Sequence, residues 1–345
     1  MKRIKVLAAH VLGVAVALIV VLAMPGIVSA QQTGFCSQTA NLLFDACGKE
    51  AQADFLVASA ICVNEPEQAD RAKCNADAEA SRDESLQLCQ DQLDWRFEGC
   101  QLTGEDRYDP EFGPGLFDNP KNPKNPNPYF PLKIGNLWEY VAGSEFNRVQ
   151  ILNETKLIDG VTCIVSHDQV FDDGDLIEDT DDWFAQAKDG NTWYCGEEVK
   201  NFESFKGDNP SIPELVSIDG SFKAGRDGDE PGIIFPASPQ FGDVNREEFS
   251  LANAEDIAQV VSTTYKFGNN PELDQLVPKM LADRFCSVGD CVVTDNRSLL
   301  EPGIVERKFY ARKIGNFLEV VPDTGEVVQL VNCNFDPRCK NLPTP

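Results

Sequence analysis

The sequence predicts an α+β protein that is mainly β: a disulfide-stapled α-helical hairpin, then an antiparallel β meander or partly closed barrel with one or two helices. Three observations predict it. Six of the twelve cysteines fall in a symmetric spacing within sequence rich in Ala, Glu, Gln and Leu. A stretch of repeated Asn-Pro steps follows. Beyond it, short aromatic and β-branched runs alternate with Asp-Gly turn signals, the pattern of strands joined by tight hairpins.

The chain opens MKRIK, runs through an apolar stretch and reaches Val28-Ser29-Ala30 before Gln31. A basic start, an apolar centre and small residues at the end predict a secretory signal peptide over 1–30, with Pro25 and Gly26 breaking its helix ahead of the cut. The apolar run is also long enough to serve as a membrane anchor, but no later segment is, so no membrane span is expected after cleavage. No cysteine stands at the cut, which argues against a lipid-anchored form. Loss of Lys2, Arg3 and Lys5 takes the net charge from −26 to −29. Such a field repels nucleic acid and anionic lipid surfaces. The expected location is periplasmic, or secreted to the cell surface, where cysteines serve as disulfides. No CxxC motif suggests otherwise.

The hairpin occupies residues 31–104. Its cysteine numbers add to 136 in each of the pairs Cys36–Cys100, Cys47–Cys89 and Cys62–Cys74. Residues level with one another on two antiparallel helices keep a constant sum, so the pattern predicts three rungs. Cysteine spacings of 11 and 15 residues turn by about 20° and 60° along a helix, which holds each arm's cysteines on one stripe. Leu43 with Leu93, Ala58 with Ala78, and Ala60 with Ala76 obey the same sum, and alanines let the arms approach closely. The segment CVNEPEQADRAKC is the turn, with Asn64 or Glu65 near the cap of the second helix and Pro66 near its start. A two-helix unit has little core, and disulfides supply what burial cannot.

Residues 105–128, EDRYDPEFGPGLFDNPKNPKNPNP, read as a semi-rigid extended spacer that few contacts should cross. The β domain is placed at 129–332, with a Cys-containing tail over 333–345. KDGN (188–191) should fold DWFAQA back onto TWYCGE, while two IDG steps, DDGD and DTGE mark further turns. About eight to ten strands are expected, with the one or two helices falling between 245 and 283.

The segments YFPLKIGNLWEY (129–140), TKLIDGVTCIVSHDQVFDDGDLIEDTDDWFAQAKDGNTWYCGE (155–197), DGDEPGIIFPASPQFGD (227–243) and LEPGIVERKFYA (300–311) resemble a largely uncharacterised family of secreted bacterial β-rich domains. The resemblance covers about 129–332. It implies an exported β domain of bacterial origin and carries over no active site. Cys195 and Cys286 depart from the family's wording; as additions they would pair with each other and leave Cys163 to Cys291. The local alternative is Cys286 with Cys291, and Cys333 with Cys339 forms a short tail loop in either case.

Little of the usual catalytic equipment is present. With His10 in the signal peptide, His167 is the one histidine left, and a satisfied strand residue is its expected role. Multi-histidine metal sites are excluded, no GxSxG elbow accompanies His167, and glycine-rich phosphate loops are missing. Carboxylates are abundant, and a glycosidase needs only two, but no pair stands out. In HDQVFDDGDLIEDTDD, pairing about Asp173-Gly174 would set Asp172 against Asp175 and Asp168 against Asp179. Like charges so placed cost stability unless the register differs or a cation neutralises them. Calcium, held by Asp168, Asp172, Asp175 and Asp179, is thus the one candidate cofactor. Trp138, Trp183 and Trp193 are candidates to line a ligand cavity. The sequence favours a non-enzymatic binding or interaction protein for a small ligand or an extracytoplasmic partner, ahead of a carboxylate hydrolase or a structural component of the cell surface.

Overall fold

The computed structural model describes residues 34–344, and the expected signal peptide lies outside the described residues. The hairpin is present as two long helices, α1 (Phe35–Cys62) and α2 (Gln68–Thr103). Cys36–Cys100, Cys47–Cys89 and Cys62–Cys74 are its rungs, with Cα–Cα distances of 5.7, 5.8 and 5.5 Å. α2 starts later than the turn residues suggest, with Glu67 as its N-cap. The guanidinium of Arg71 donates to the carbonyls of Glu65 and Pro66, at 2.6 and 2.8 Å, and so holds those residues in the loop. At the open end, the Glu105 carboxylate accepts from the Ser37 amide (2.9 Å), satisfying a donor that the first turn of α1 leaves unpaired.

Strands follow in order: β1 (Leu137–Ala142), β2 (Glu145–Ile158), β3 (Val161–Asp172), β4 (Asp175–Gln186), β5 (Thr192–Glu203), β6 (Glu214–Ser217), β7 (Phe222–Lys223), β8 (Gly232–Phe235), β9 (Val244–Arg246) and β10 (Asp256–Tyr265). A short helix α3 (Lys279–Phe285) precedes β11 (Cys291–Ser298), β12 (Glu306–Ala311), β13 (Gly315–Val321) and β14 (Glu326–Cys333). They form one antiparallel sheet in the order β6-β5-β4-β3-β2-β1-β14-β13-β12-β11-β10-β9, with β7 and β8 also pairing with β5. The sheet is not closed. Its two ends nevertheless meet, through a bridge between Glu230 and Phe249 and a hydrogen bond from the Asn245 amide to Ile233 O. Gly232 permits this approach, since a Cβ there would come 2.0 Å from Glu247 O.

The turn residues act as their chemistry requires. Asp159-Gly160 and Asp173-Gly174 take positive φ at both positions and close two-residue hairpins between β2 and β3 and between β3 and β4. KDGN returns β4 onto β5, with Gln186 opposite Thr192. Between 245 and 283 only α3 is helical. Residues 256–265, DIAQVVSTTY, form β10 instead, because Ile257, Val260 and the threonines suit a strand paired on both sides by β9 and β11.

Residues 105–128 do not stand free as a spacer. Phe112 and Phe117 pack on each other and on Trp193, Phe117 bridges to Ala187, and the Asp118 amide donates to Gln186 O at 3.0 Å. The buried Asn127 donates to the carbonyls of Gly190 and Pro236. The strap thereby covers a small core on the outer face of β3–β5, separate from the main core inside the curled sheet. The hairpin docks as well, through the last turns of α2. Trp95 Nε1–H donates to Ser298 O (3.0 Å), and the Gln92 amide donates to Leu300 O (2.9 Å).

The remaining disulfides are Cys163–Cys195, Cys286–Cys291 and Cys333–Cys339. The arrangement Cys195–Cys286 with Cys163–Cys291 is therefore overturned. Cys163 and Cys195 stand on strands separated by β4, ordinarily too far apart for a bridge. A bulge between Trp183–Gly196 and Phe184–Tyr194 makes Cys195 the extra residue; small Ala185 packs in the same outer core as both cysteines, whose Cα atoms are 6.8 Å apart. Gly196 lets the bulged strand pass β7, where a Cβ would meet Phe222 O at 2.3 Å.

Candidate functional site

Strand alternation sends Ile164, Ser166, Asp168 and Val170 to the interior, and all four are buried. There a largely apolar cavity of about 120 Å³ opens between β1–β4 and β13–β14, under Phe130-Pro131-Leu132. Trp138, Val149, Ile151 and Phe184 form walls, and Asp168, Asp182 and Glu319 supply the charge. Trp138 is fixed by its Nε1–H bond to Ile314 O (2.7 Å) and by Phe335 edge-on at 4.9 Å.

Asp168 is only 5% exposed, and its Oδ1 has no hydrogen-bond partner among the described residues. Burial pushes its carboxyl up to about 7, helped by the charges of Asp182 and Glu178 and opposed by a hydrogen bond from Asn147. Asp182 is 3% exposed and accepts from the Tyr194 hydroxyl. Glu197, opposite Asp182 on β5, is also buried and raised, first by desolvation and then by Asp182 and Glu178. Deeper in the sheet, burial pushes Glu247 up to about 7, while Lys308 is held above its ordinary value despite burial by Glu319, Glu306 and Glu247. The described interior thus carries several buried carboxylates, and Lys308 sits among three carboxylates, Glu247, Glu306 and Glu319.

The four aspartates expected to share calcium are not brought together. A bulge between Val170–Glu178 and Phe171–Leu176 makes Ile177 the extra residue, so Asp179 pairs with Gln169 and Asp168 with Thr180. Cross-strand partners share a face and neighbours alternate, which puts Asp168 inside and Asp179 outside. Asp172 and Asp175 do face each other at the hairpin end, where Ser144 and Ser204 hydroxyls donate to them. Among the described residues no group of three or more His, Cys, Asp or Glu side chains is placed to hold a metal ion.

On the outer face His167 lies between Asp181 (Nδ1–Oδ1 2.8 Å) and Asp179 (Nε2–Oδ2 3.5 Å). The Asp181 hydrogen bond raises its pKa above the usual value, and Asp181 in turn is lowered. Of the three tryptophans only Trp138 lines the cavity. Trp183 belongs to the outer core under the ammonium groups of Lys156 and Lys223, and Trp193 packs on Phe112 and Phe117.

No family model, curated protein or solved structure matches the chain. Asp168 was visible in the sequence, but in the wrong company: IVSHDQV places it on the face of Ile164 and Val170, a signal that it points inward. Asp182, Glu197 and Lys308 carry no comparable local mark, since their burial follows from the curl of the whole sheet.

Proposed function

We propose that this is an exported, periplasmic or secreted, non-enzymatic protein that holds a small ligand inside its curled sheet. One observation carries the reading: a largely apolar cavity beside Trp138, entered by a buried carboxylate oxygen that has no partner among the described residues. Six disulfides, and the absence among the described residues of any helix long and apolar enough to cross a membrane, support an extracytoplasmic setting. Native mass spectrometry of the chain purified from its own host tests the reading. A retained small molecule in one-to-one ratio is expected, and its loss on filling the cavity with Val149→Phe. Occupancy unchanged by that substitution would place the ligand elsewhere, and turnover of the retained molecule would favour the hydrolase reading.

A second reading attaches to the hairpin. Its distal end exposes Leu56, Val57, Ile61 and Val63, away from the turns of α2 that dock on the sheet. An apolar tip on a disulfide-braced arm suits contact with another surface. Sedimentation of the parent beside Leu56→Ser/Ile61→Ser checks the simplest case, self-association.

A further inference from the structure

Resting on the small-ligand reading above, we infer that the cavity takes a small organic cation, an ammonium or amidinium group on an apolar body of about one ring, with Asp168 as counter-ion. Among the described residues, the charged side chains lining the cavity are Asp168, Asp182 and Glu319, with no Lys, Arg or His beside them. An anionic ligand would meet three carboxyl groups of its own sign. The neighbouring interior lysine, Lys308, is already engaged: its ammonium lies 3.4 Å from Glu306, with Glu319 and Glu247 close enough to raise its pKa.

Asn147 serves one side of the Asp168 carboxyl, and Oδ1 is the acceptor left without a donor among the described residues. When ionised a carboxylate only accepts hydrogen bonds, and Oδ1 receives none within the described residues. Burial has already stripped this group of water in the folded protein, so a bound cation gains its attraction without desolvating the acid afresh. The walls add to the selection. Trp138, Tyr140, Phe130 and Phe184 offer aromatic surface, which attracts cations through its negative face. The size fits a small body, since an engineered apolar cavity of about 150 Å³ admits benzene.

Protons are linked to this binding. Asp168 is faced by Asp182 and Glu178 of β4, with Glu197 beyond on β5, by Tyr140 of β1 and by Glu319 of β13. A cation beside it favours the ionised carboxylate, so binding expels the proton that Asp168 holds in part near neutral pH. Affinity should therefore rise as pH climbs from 5 to 8.

Benzylamine, benzyl alcohol and benzoate are matched probes for calorimetry and tryptophan fluorescence on the full mature chain. At pH 8 benzylamine should bind roughly 10- to 100-fold more tightly than benzyl alcohol, the range of a hydrogen bond to a charged group. Asp168→Asn should bring the amine down to the level of the alcohol and leave the alcohol unchanged. In the parent protein the amine's advantage should shrink at pH 5, a readout that does not depend on any variant folding. Equal binding of amine and alcohol, or a preference for benzoate, would overturn the cation and leave the cavity reading standing. Binding of none of the three would overturn both.

Discussion

Arg96 of α2 and Glu255, just before β10, form a bidentate ion pair, with Nε–Oε2 3.0 Å and Nη2–Oε1 2.9 Å, at 4% and 5% side-chain exposure. Glu255 also accepts from the Ala252 amide, so its charge is fully engaged at the joint between hairpin and sheet. Beside it Gly99 lets α2 sit on Leu299, where a Cβ would come 2.9 Å from Cδ2.

Arg96→Met should cost about 3–5 kcal/mol in urea unfolding, because it strands a buried carboxylate. The double variant Arg96→Met/Glu255→Leu should recover most of that loss. A double variant as unstable as the single would mean that packing, not charge, carries the joint. For the same reason a chain starting at Asn127, which lacks Arg96, Phe112 and Phe117, should melt less cooperatively than the full protein. A sharp melt of that chain would show the strap and hairpin to be dispensable.

Asp168 sets a pH dependence. Its folded-state pKa of about 7 lies above the ordinary 3.8, so its contribution to stability is complete below pH 4 and is lost as pH rises through 7. Glu247, raised to about 7, acts in the same direction. His167, raised above 6.5, likewise contributes below that value and loses its contribution as pH rises through its folded pKa. Thermal melts should be higher at pH 5 than at pH 8. Asp168→Asn should stabilise the unliganded protein at pH 8 by about 1–3 kcal/mol and do little at pH 4. Equal effects at the two pH values would remove ionisation as the cause.

Calcium should leave the melting curve unchanged, because Asp168 and Asp179 lie on opposite faces of the sheet. Asp175→Asn/Asp179→Asn should likewise respond no differently with and without millimolar calcium. A calcium-dependent rise in Tm that this double change abolishes would restore the shared site.

The Cys163–Cys195 bridge shares the outer core with Ala185, a small residue of the intervening strand. Ala185→Leu should hinder the crossing and cost about 1–3 kcal/mol through overpacking. Peptide mapping should then find free thiol at Cys163. An intact bridge in a stable variant would mean that the bulge, not the space over Ala185, governs closure.

The sequence by itself determined the hairpin and the turns. Disulfide rungs along two helices follow from the helical repeat and antiparallel direction alone, and Asp159-Gly160 or Asp173-Gly174 fix a turn by the backbone angles those residues tolerate. Such features depend on residues near in sequence or on one fixed periodicity. Tertiary structure decided the rest. A single extra residue, Ile177 or Cys195, shifts pairing by one, and in a strand that exchanges faces: it separated Asp168 from Asp179 and swung Cys195 toward Cys163. Where Arg96 meets Glu255, and which carboxylates surround Trp138, follow from how a long sheet curls on itself, a sum of contacts distant in sequence that no local pattern records.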